Sequence, residues 1–199
     1  ARTEHYDVLL TAMVMRLRQL FRDDSLPFLN VQLPMWIAAG DEDKHDWARL
    51  RLAQARAASA LQPGGLAILL DCGEFDNIHP TDKRTPGERL CDVALRVVYG
   101  MDAPESPRAL GKYTQGDTLV VTLSAPVLRR ETGELLLEIA GEDGAYHPVQ
   151  SVTLDGTEMR LRSVAVLHPA KVRYAYVNWG KVSLFGQNGL PLAPFAFEG

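Results

Sequence analysis

The hydrophobic pattern of this 199-residue chain changes near residue 104, and that change limits the folds open to it. Before this point, helical and strand-like patterns alternate. After it, short segments rich in Val, Leu, Thr and Tyr follow one another, separated by turns that contain glycine. Alternating helices and strands are typical of a parallel sheet covered by helices, whereas serial short strands are typical of antiparallel sheets. The sequence therefore predicts two domains, residues 1–103 and residues 104–199, joined near the segment MDAPESPRALG.

The first domain is predicted to run helix, strand, helix, strand, helix. Apolar residues recur at helical spacing over residues 6–21 and 47–61, and the segments PFLNVQL and LAILLD have the short apolar character of buried strands. Thr85 as N-cap, a proline after it, a glutamate three residues on and Gly100 as terminator indicate the third helix. We expect these elements to form a doubly wound parallel sheet. The inward face of the first helix is predicted to consist of Tyr6, Leu9, Leu10, Met13, Val14, Leu17, Leu20 and Phe21.

The second domain is predicted to be a small antiparallel β-sandwich. Its strongest local signal is the pair Asp155 and Gly156 between SVTL and TEMRL, a dipeptide that favours a tight hairpin turn.

Composition limits the partners of the chain. The net charge of −4 and the absence of a basic stripe argue against binding to nucleic acid or to an anionic membrane surface. The apolar runs are too short to span a bilayer. Cys72 and Cys91 are expected to be free buried thiols, because two cysteines do not make a disulfide scaffold.

A candidate site follows the second predicted strand. Asp76 and His79 lie three residues apart in the loop after LAILLD, and ligands of open α/β sheets bind outside the carboxyl ends of the strands. A carboxylate in this position can accept the Nδ1 proton of the histidine, so that Nε2 acts as a general base. Such a base needs a nucleophile, and the chain contains no G-x-S-x-G elbow.

The residues alone leave other readings of this loop open. His79 could be a structural residue that caps the following helix, and Asp71 or Glu74 could replace Asp76 as the orienting carboxylate. Asp71, Asp76 and His79 could also form a mononuclear metal site, although no second His or Cys cluster supplies further ligands.

Longer stretches resemble one family. The run GLAILLDCGEFDNIHPTDKRTPGERLCDVALRVVYG resembles the D-x-I-H-P and K-x-x-x-G-E-R-L segment of the sialate O-acetylesterase family of SGNH hydrolases. PFLNVQL with Gln32, WARLRLAQ, VRYAYVNW and LFGQNGLPLAPF resemble further family segments in the same order. The chain departs from the family where Tyr176 replaces Trp and where Leu192 and Ala193 replace Ala-Ser.

The resemblance implies a fold and a function. The first domain would be the C-terminal part of a flavodoxin-like SGNH sheet, and the protein would be a carbohydrate O-acetylesterase that uses a Ser-His-Asp triad. His79 would be the general base and Asp76 would orient it. The serine and the oxyanion-hole Gly and Asn would come from an N-terminal half that precedes Ala1, either as a separate associated chain or as a cleaved part of the same gene product. The 199-residue chain alone is therefore expected to be inactive.

The resemblance also bears on ligands and location. It implies no metal or other cofactor, an O-acetylated sugar of sialic acid or xylan type as substrate, and a periplasmic or extracellular location. Gln32 would line the substrate site, although Gln32 and Gln54 fit structural hydrogen-bonding roles equally well.

The alternative hypothesis is a non-catalytic carbohydrate-binding or structural module derived from such an esterase. Tyr174, Tyr176 and Trp179 would then stack on sugars, although aromatic residues on one strand are also typical of a core.

Overall fold

Residues 3–198 are described by the structure, which is a computed structural model of the chain. The chain divides into two units, residues 1–105 and residues 106–199. The first unit combines helices with a parallel strand pair, and the second consists of antiparallel sheets.

The first unit has the predicted order of elements. Strands β1 and β2 pair in parallel, with Phe28 opposite Gly64. The observed strands are shorter than the apolar segments that predicted them. Ile68, Leu69 and Leu70, for example, are buried but follow the last residue of β2 that pairs with β1. The bounds are α1 Tyr6–Phe21, β1 Phe28–Val31, α2 Asp46–Ala60, β2 Gly64–Ala67 and α3 Arg84–Val97. No helix within residues 3–198 is long and apolar enough to cross a membrane.

A buried arginine joins α1 to the end of α2. The Arg18 guanidinium donates hydrogen bonds to the carbonyl oxygens of Leu26, Leu61, Gln62 and Pro63 at 3.0–3.3 Å. These four carbonyls belong to the segments that follow α1 and α2, outside the helical hydrogen bonding, so the guanidinium supplies the donors that they would otherwise lack. Arg18 thereby ties α1 to the segment after α2.

The predicted inward face of α1 is in large part wrong. Val14 is buried and Leu10 packs against the same small core, but five members of the predicted face are exposed. The reason is that α1 is apolar on more than one side and only one side contacts α2. The exposed apolar side chains of α1 are Val8, Leu9, Met13, Met15, Leu17, Leu20 and Phe21.

The residue that caps the beginning of α3 is not the predicted one. Asp82, not Thr85, caps the helix, since its Oδ1 accepts hydrogen bonds from the backbone N–H groups of Arg84 at 2.9 Å and Thr85 at 3.1 Å. A hydrogen bond from the side chain of Thr85, followed by the bond from its backbone N–H, lowers the pKa of Asp82. Gly100 follows the helix with a left-handed φ of 62°, as expected of a terminator.

The second unit contains two four-stranded antiparallel sheets and one two-stranded sheet. Their strand orders are β3-β4-β9-β8, β12-β10-β6-β7 and β11-β5. The predicted hairpin is confirmed, with Asp155 paired to Glu158 across a turn in which Gly156 has a φ of 54°. The bounds are β3 Ala109–Gln115, β4 Thr118–Leu123, β5 Val127–Arg129, β6 Leu137–Ala140, β7 His147–Pro148, β8 Ser151–Asp155, β9 Glu158–Arg162, β10 Lys171–Tyr174, β11 Leu184–Gly186 and β12 Phe195–Phe197.

Candidate active site

Two loops meet beyond the carboxyl ends of β1 and β2. The backbone N–H of Asp76 donates to the carbonyl oxygen of Ile37 at 3.0 Å, and the Asp76 Oδ1 accepts from the N–H of Ala39 at 2.8 Å. A Cβ on Gly73 would lie 1.9 Å from the carbonyl oxygen of Met35, so only glycine permits this close approach. The loop after β1 therefore supports the loop that carries the candidate residues.

An ion pair joins this second loop to α3. Arg89 donates to both carboxylate oxygens of Asp71 at 2.6 and 2.7 Å and to the carbonyl oxygen of Ile68 at 2.7 Å. Burial acts to lower the pKa of Arg89, but the hydrogen bonds and charge of Asp71 outweigh it and leave that pKa raised. Planar bidentate pairs of this kind fix direction as well as distance. The pair therefore sets where the chain leaves β2.

Glu74 closes the loop on itself. Its Oε1 accepts hydrogen bonds from the backbone N–H and the hydroxyl of Thr81 at 2.7 and 2.6 Å, and its Oε2 accepts from the amide of Asn77 at 2.7 Å. The bonds from Thr81 and then Asn77 lower the pKa of Glu74. Asn77 also accepts the N–H of His79 at 3.0 Å, so the backbone at the histidine is held by the same network.

Asp76 and His79 are both exposed in this loop. Asp76 has a left-handed φ of 57°, a conformation that Asp tolerates better than most residues. In the part of the chain that the structure describes, no hydrogen bond or ion pair joins the two side chains. The Asp76–His79 dyad thus stays a prediction.

The two neighbouring carboxylates already accept hydrogen bonds on both of their oxygens. Both oxygens of Asp71 bond to Arg89, and both oxygens of Glu74 bond to Thr81 or Asn77. Asp76 has its Oδ1 on Ala39, whereas its Oδ2 has no partner among residues 3–198. Of the three carboxylates that the sequence left open, Asp76 alone has an oxygen that accepts no hydrogen bond from residues 3–198.

The two other readings of the loop find no support. Asp82 supplies the cap of α3, so His79 is not a capping residue. For the metal reading, Asp71 is bound to Arg89, and the described residues bring together no three His, Cys, Asp or Glu side chains that could hold a metal ion.

The thiol in the same loop is not activated. Burial, then the nearby charge of Asp71, raises the pKa of Cys72 to about 12, so the group is a neutral thiol at physiological pH. Both cysteines are free as expected, but Cys72 is half-buried and Cys91 is exposed, so the prediction of two buried thiols is wrong. This raised pKa does not favour Cys72 as the nucleophile.

Two glutamines link β1 to α2: Gln32 directly follows β1, and Gln54 lies in α2. Gln32 is fully buried, and its amide donates to the carbonyl oxygen of Arg51 at 3.3 Å. Gln54 accepts the N–H of Leu33 at 2.9 Å and donates to the carbonyl oxygen of Val31 at 3.2 Å, so it extends the hydrogen bonding of β1. These contacts give both residues a structural role, and a contact of Gln32 with substrate stays a prediction.

The aromatic side chains of the alternative hypothesis do not form one surface. Tyr174 has no solvent exposure and packs against Phe195 with ring centroids 5.7 Å apart, so its predicted stacking on sugars is wrong. Tyr176 and Trp179 are half-buried. The core position of Tyr174 agrees with its place on the central strand β10.

Sequence reasoning missed two supports of the site. Gly73 and Arg89 act through contacts with segments that are distant along the chain, and neither carries a periodic or spacing signal. The only trace in the sequence is the pairing of a carboxylate after the strand with an arginine on the next helix.

Comparison with known proteins gives a similarity to a solved structure. No protein-family model and no curated protein sequence matches the chain. A crystal structure described as a novel carbohydrate acetylesterase from Xanthomonas citri is 32% identical, with a TM-score of 0.88 over 96% of this chain. The match covers 46% of that protein, so the present chain spans less than half of its length. The chain is thus similar, in sequence and in fold, to part of a carbohydrate esterase.

Proposed function

We propose that this chain is the C-terminal part of a carbohydrate O-acetylesterase of the SGNH type and that it supplies the histidine and aspartate of a Ser-His-Asp triad. The observation that carries the proposal is the supported loop at the carboxyl end of β2, which exposes both His79 and the carboxylate of Asp76, whose Oδ2 accepts no hydrogen bond from residues 3–198. The similarity to a carbohydrate acetylesterase supports the hydrolysis of carbohydrate acetyl esters. The fold of the first unit would then be part of a flavodoxin-like sheet.

In this proposal His79 moves the protons of the reaction. Its Nε2 takes the proton of the serine hydroxyl as the serine oxygen attacks the acetyl carbonyl, and then gives that proton to the departing sugar oxygen. Water then attacks the acyl-enzyme, with His79 again as base, and acetate leaves. Asp76 Oδ2 accepts a hydrogen bond from the Nδ1–H group of His79 and stays ionised, while the bond from Ala39 to Oδ1 holds the carboxylate in place.

The serine and the oxyanion donors are proposed to come from an upstream half of the gene product. The exposed side of α1 supports this part of the proposal, because Leu9, Leu20 and Phe21 are 67%, 62% and 69% exposed. A contiguous apolar surface on a helix is typical of an interface. The upstream half would cover it and complete the sheet.

The test uses the full gene product and measures release of acetate from 4-nitrophenyl acetate and from acetylated sugars. We expect His79→Ala to remove activity and Asp76→Asn to lower kcat by about 10³–10⁴-fold, since loss of the orienting carboxylate leaves the wrong tautomer. The matched control is His147→Gln, a histidine in the second unit, which should leave kcat unchanged. Acetylated sialic acid and acetylated xylan would be compared as substrates.

Two outcomes would overturn the proposal. One is full activity of the His79→Ala protein. The other is robust hydrolysis by the 199-residue chain alone, since the nucleophile would then lie within it. The proposed pairing with Asp76 fails separately if Asp76→Asn is fully active while His79→Ala is not.

A further inference from the structure

An open surface cavity of about 540 Å³ lies on the second unit. Its volume is within the range of roughly 300–1,000 Å³ that small-molecule sites occupy. The lining comes from β3, from the turn after β6 and from the segment that leads into β10. The lining residues are Lys112, Tyr113, Thr114, Gly116, Glu142, His168, Pro169, Ala170 and Lys171.

One wall of this cavity presents a cation from β3. Lys112 and Thr114 lie two residues apart, so their side chains point to the same face of the strand. The Thr114 hydroxyl donates to the carbonyl oxygen of Pro169 at 2.7 Å, which shows that this face looks toward the opposite wall. Lys112 is half-buried, and no residue within 3–198 forms a hydrogen bond or an ion pair with its ammonium group.

The opposite wall adds a second ammonium group and one carboxylate. The Lys171 Nζ lies 3.4 Å from the carbonyl oxygen of Glu142, which holds the lysine beside the turn. Glu142 and His168 are exposed at the mouth of this space, and their side chains have no partner among the described residues. Hydrogen-bonding groups of both kinds, donors and acceptors, therefore converge on one space that is large enough for a sugar.

We infer that this cavity binds an acidic saccharide, a sugar that carries a carboxylate. The two lysines match the charge of the carboxylate, and charge-assisted bonds of this kind are stronger than neutral ones. Glu142 would repel a simple anion but can accept hydrogen bonds from sugar hydroxyls, so the mixed lining favours a saccharide over inorganic phosphate. The saccharide character rests in part on the proposed function, whereas the acidic character rests on the lysines alone.

Calorimetric titration of the 199-residue chain with trigalacturonic acid tests the inference. The neutral comparison ligand is a galactose trisaccharide, and inorganic phosphate and acetate are the comparison anions. We expect saturable binding of the acidic trisaccharide, at least about tenfold tighter than that of the neutral one. Lys112→Gln and Lys171→Gln should each weaken the binding of the acidic trisaccharide about fivefold or more, whereas Lys112→Arg should retain the wild-type affinity. The matched control, Lys181→Gln, removes the same charge from an exposed position of the second unit and should have no effect.

Each contrary result has a distinct meaning. Equal affinity for the neutral trisaccharide, or an equal loss in Lys181→Gln, would overturn a specific role for the cavity lysines. Phosphate that binds as tightly as the acidic trisaccharide would reduce the cavity to a general anion site and overturn the saccharide inference. Because no step of this test measures acetate release, it can fail while the role of His79 stands, and it can succeed while that role fails.

Discussion

The ion pair between Arg89 and Asp71 should be the strongest single electrostatic support of the candidate site. The Arg89 side chain is 11% exposed and that of Asp71 is 23% exposed. Breaking a buried pair costs about 3–5 kcal/mol and an exposed pair about 0–1 kcal/mol, so a pair between these limits should contribute about 2 kcal/mol. Arg89→Met also removes the donor to the Ile68 carbonyl, which adds about 1 kcal/mol.

Arg89→Met should therefore lower the free energy of unfolding of the first unit by about 3 kcal/mol, which is roughly 10 °C or more in Tm for a unit of this size. Thermal and urea unfolding can be followed by tryptophan fluorescence, since Trp36 and Trp47 both lie in this unit. A double-mutant cycle with Asp71→Asn isolates the pair and should give a coupling of about 2 kcal/mol.

The matched control lies on the same helix. Arg84 also pairs with a carboxylate, that of Glu88, but the two side chains are 87% and 59% exposed. Arg84→Met should therefore leave the unfolding midpoint unchanged, since solvent screens an exposed pair. Equal destabilisation by Arg84→Met and Arg89→Met, or a coupling near zero between Arg89 and Asp71, would refute the reasoning from burial.

Three further predictions concern the same loop. Gly73→Ala should destabilise the first unit by about 1–3 kcal/mol in thermal unfolding and reduce acetate release by the full gene product. The control is Gly87→Ala, where an added Cβ meets nothing within 4 Å. This variant should have an unchanged or slightly higher Tm. In a thiol-reagent titration at about pH 8, Cys91 should react rapidly and Cys72 slowly, because burial raises the pKa of Cys72; equal rates would contradict this. The pKa of Glu74 is lowered in the folded state, so its contribution is present above the unfolded pKa and is lost as pH falls below about 4. Proteolysis of the loop should rise in that range in the native protein, and Glu74→Gln should remove this pH dependence.

The order of elements could be predicted because it depends on local periodicity. Alternation of helix and strand, the change near residue 104 and the Asp155-Gly156 turn all act over a few residues. The cap of α3 was predicted wrongly, since the choice of Asp82 over Thr85 depends on which side chain reaches two backbone N–H groups. Sequence spacing does not contain that information.

The packing of α1 could not be predicted for a different reason. A helix that is apolar on more than one side has several faces of similar hydrophobicity, and periodicity does not say which face meets a neighbour. Val14 and Arg18 mark the face that packs in this chain, and the buried Arg18 shows that a charged residue can occupy such a face when carbonyl oxygens surround its guanidinium. The burial of Gln32 and Tyr174 has the same origin, since residue type alone does not separate a core position from a site.

The supports of the candidate loop all come from within the first unit, and this bears on how the proposed triad would be assembled. Arg89 fixes the exit from β2, Gly73 allows contact with the preceding loop, and Glu74 closes the turn before His79. Preorganisation of a catalytic group depends on such surrounding contacts rather than on the reacting partner. Within the proposed function, the upstream half would then need to deliver the serine to an Asp76–His79 loop whose backbone is already held in place. Association would then bury the exposed apolar surface of α1, and it would not need to supply free energy for the ordering of this loop.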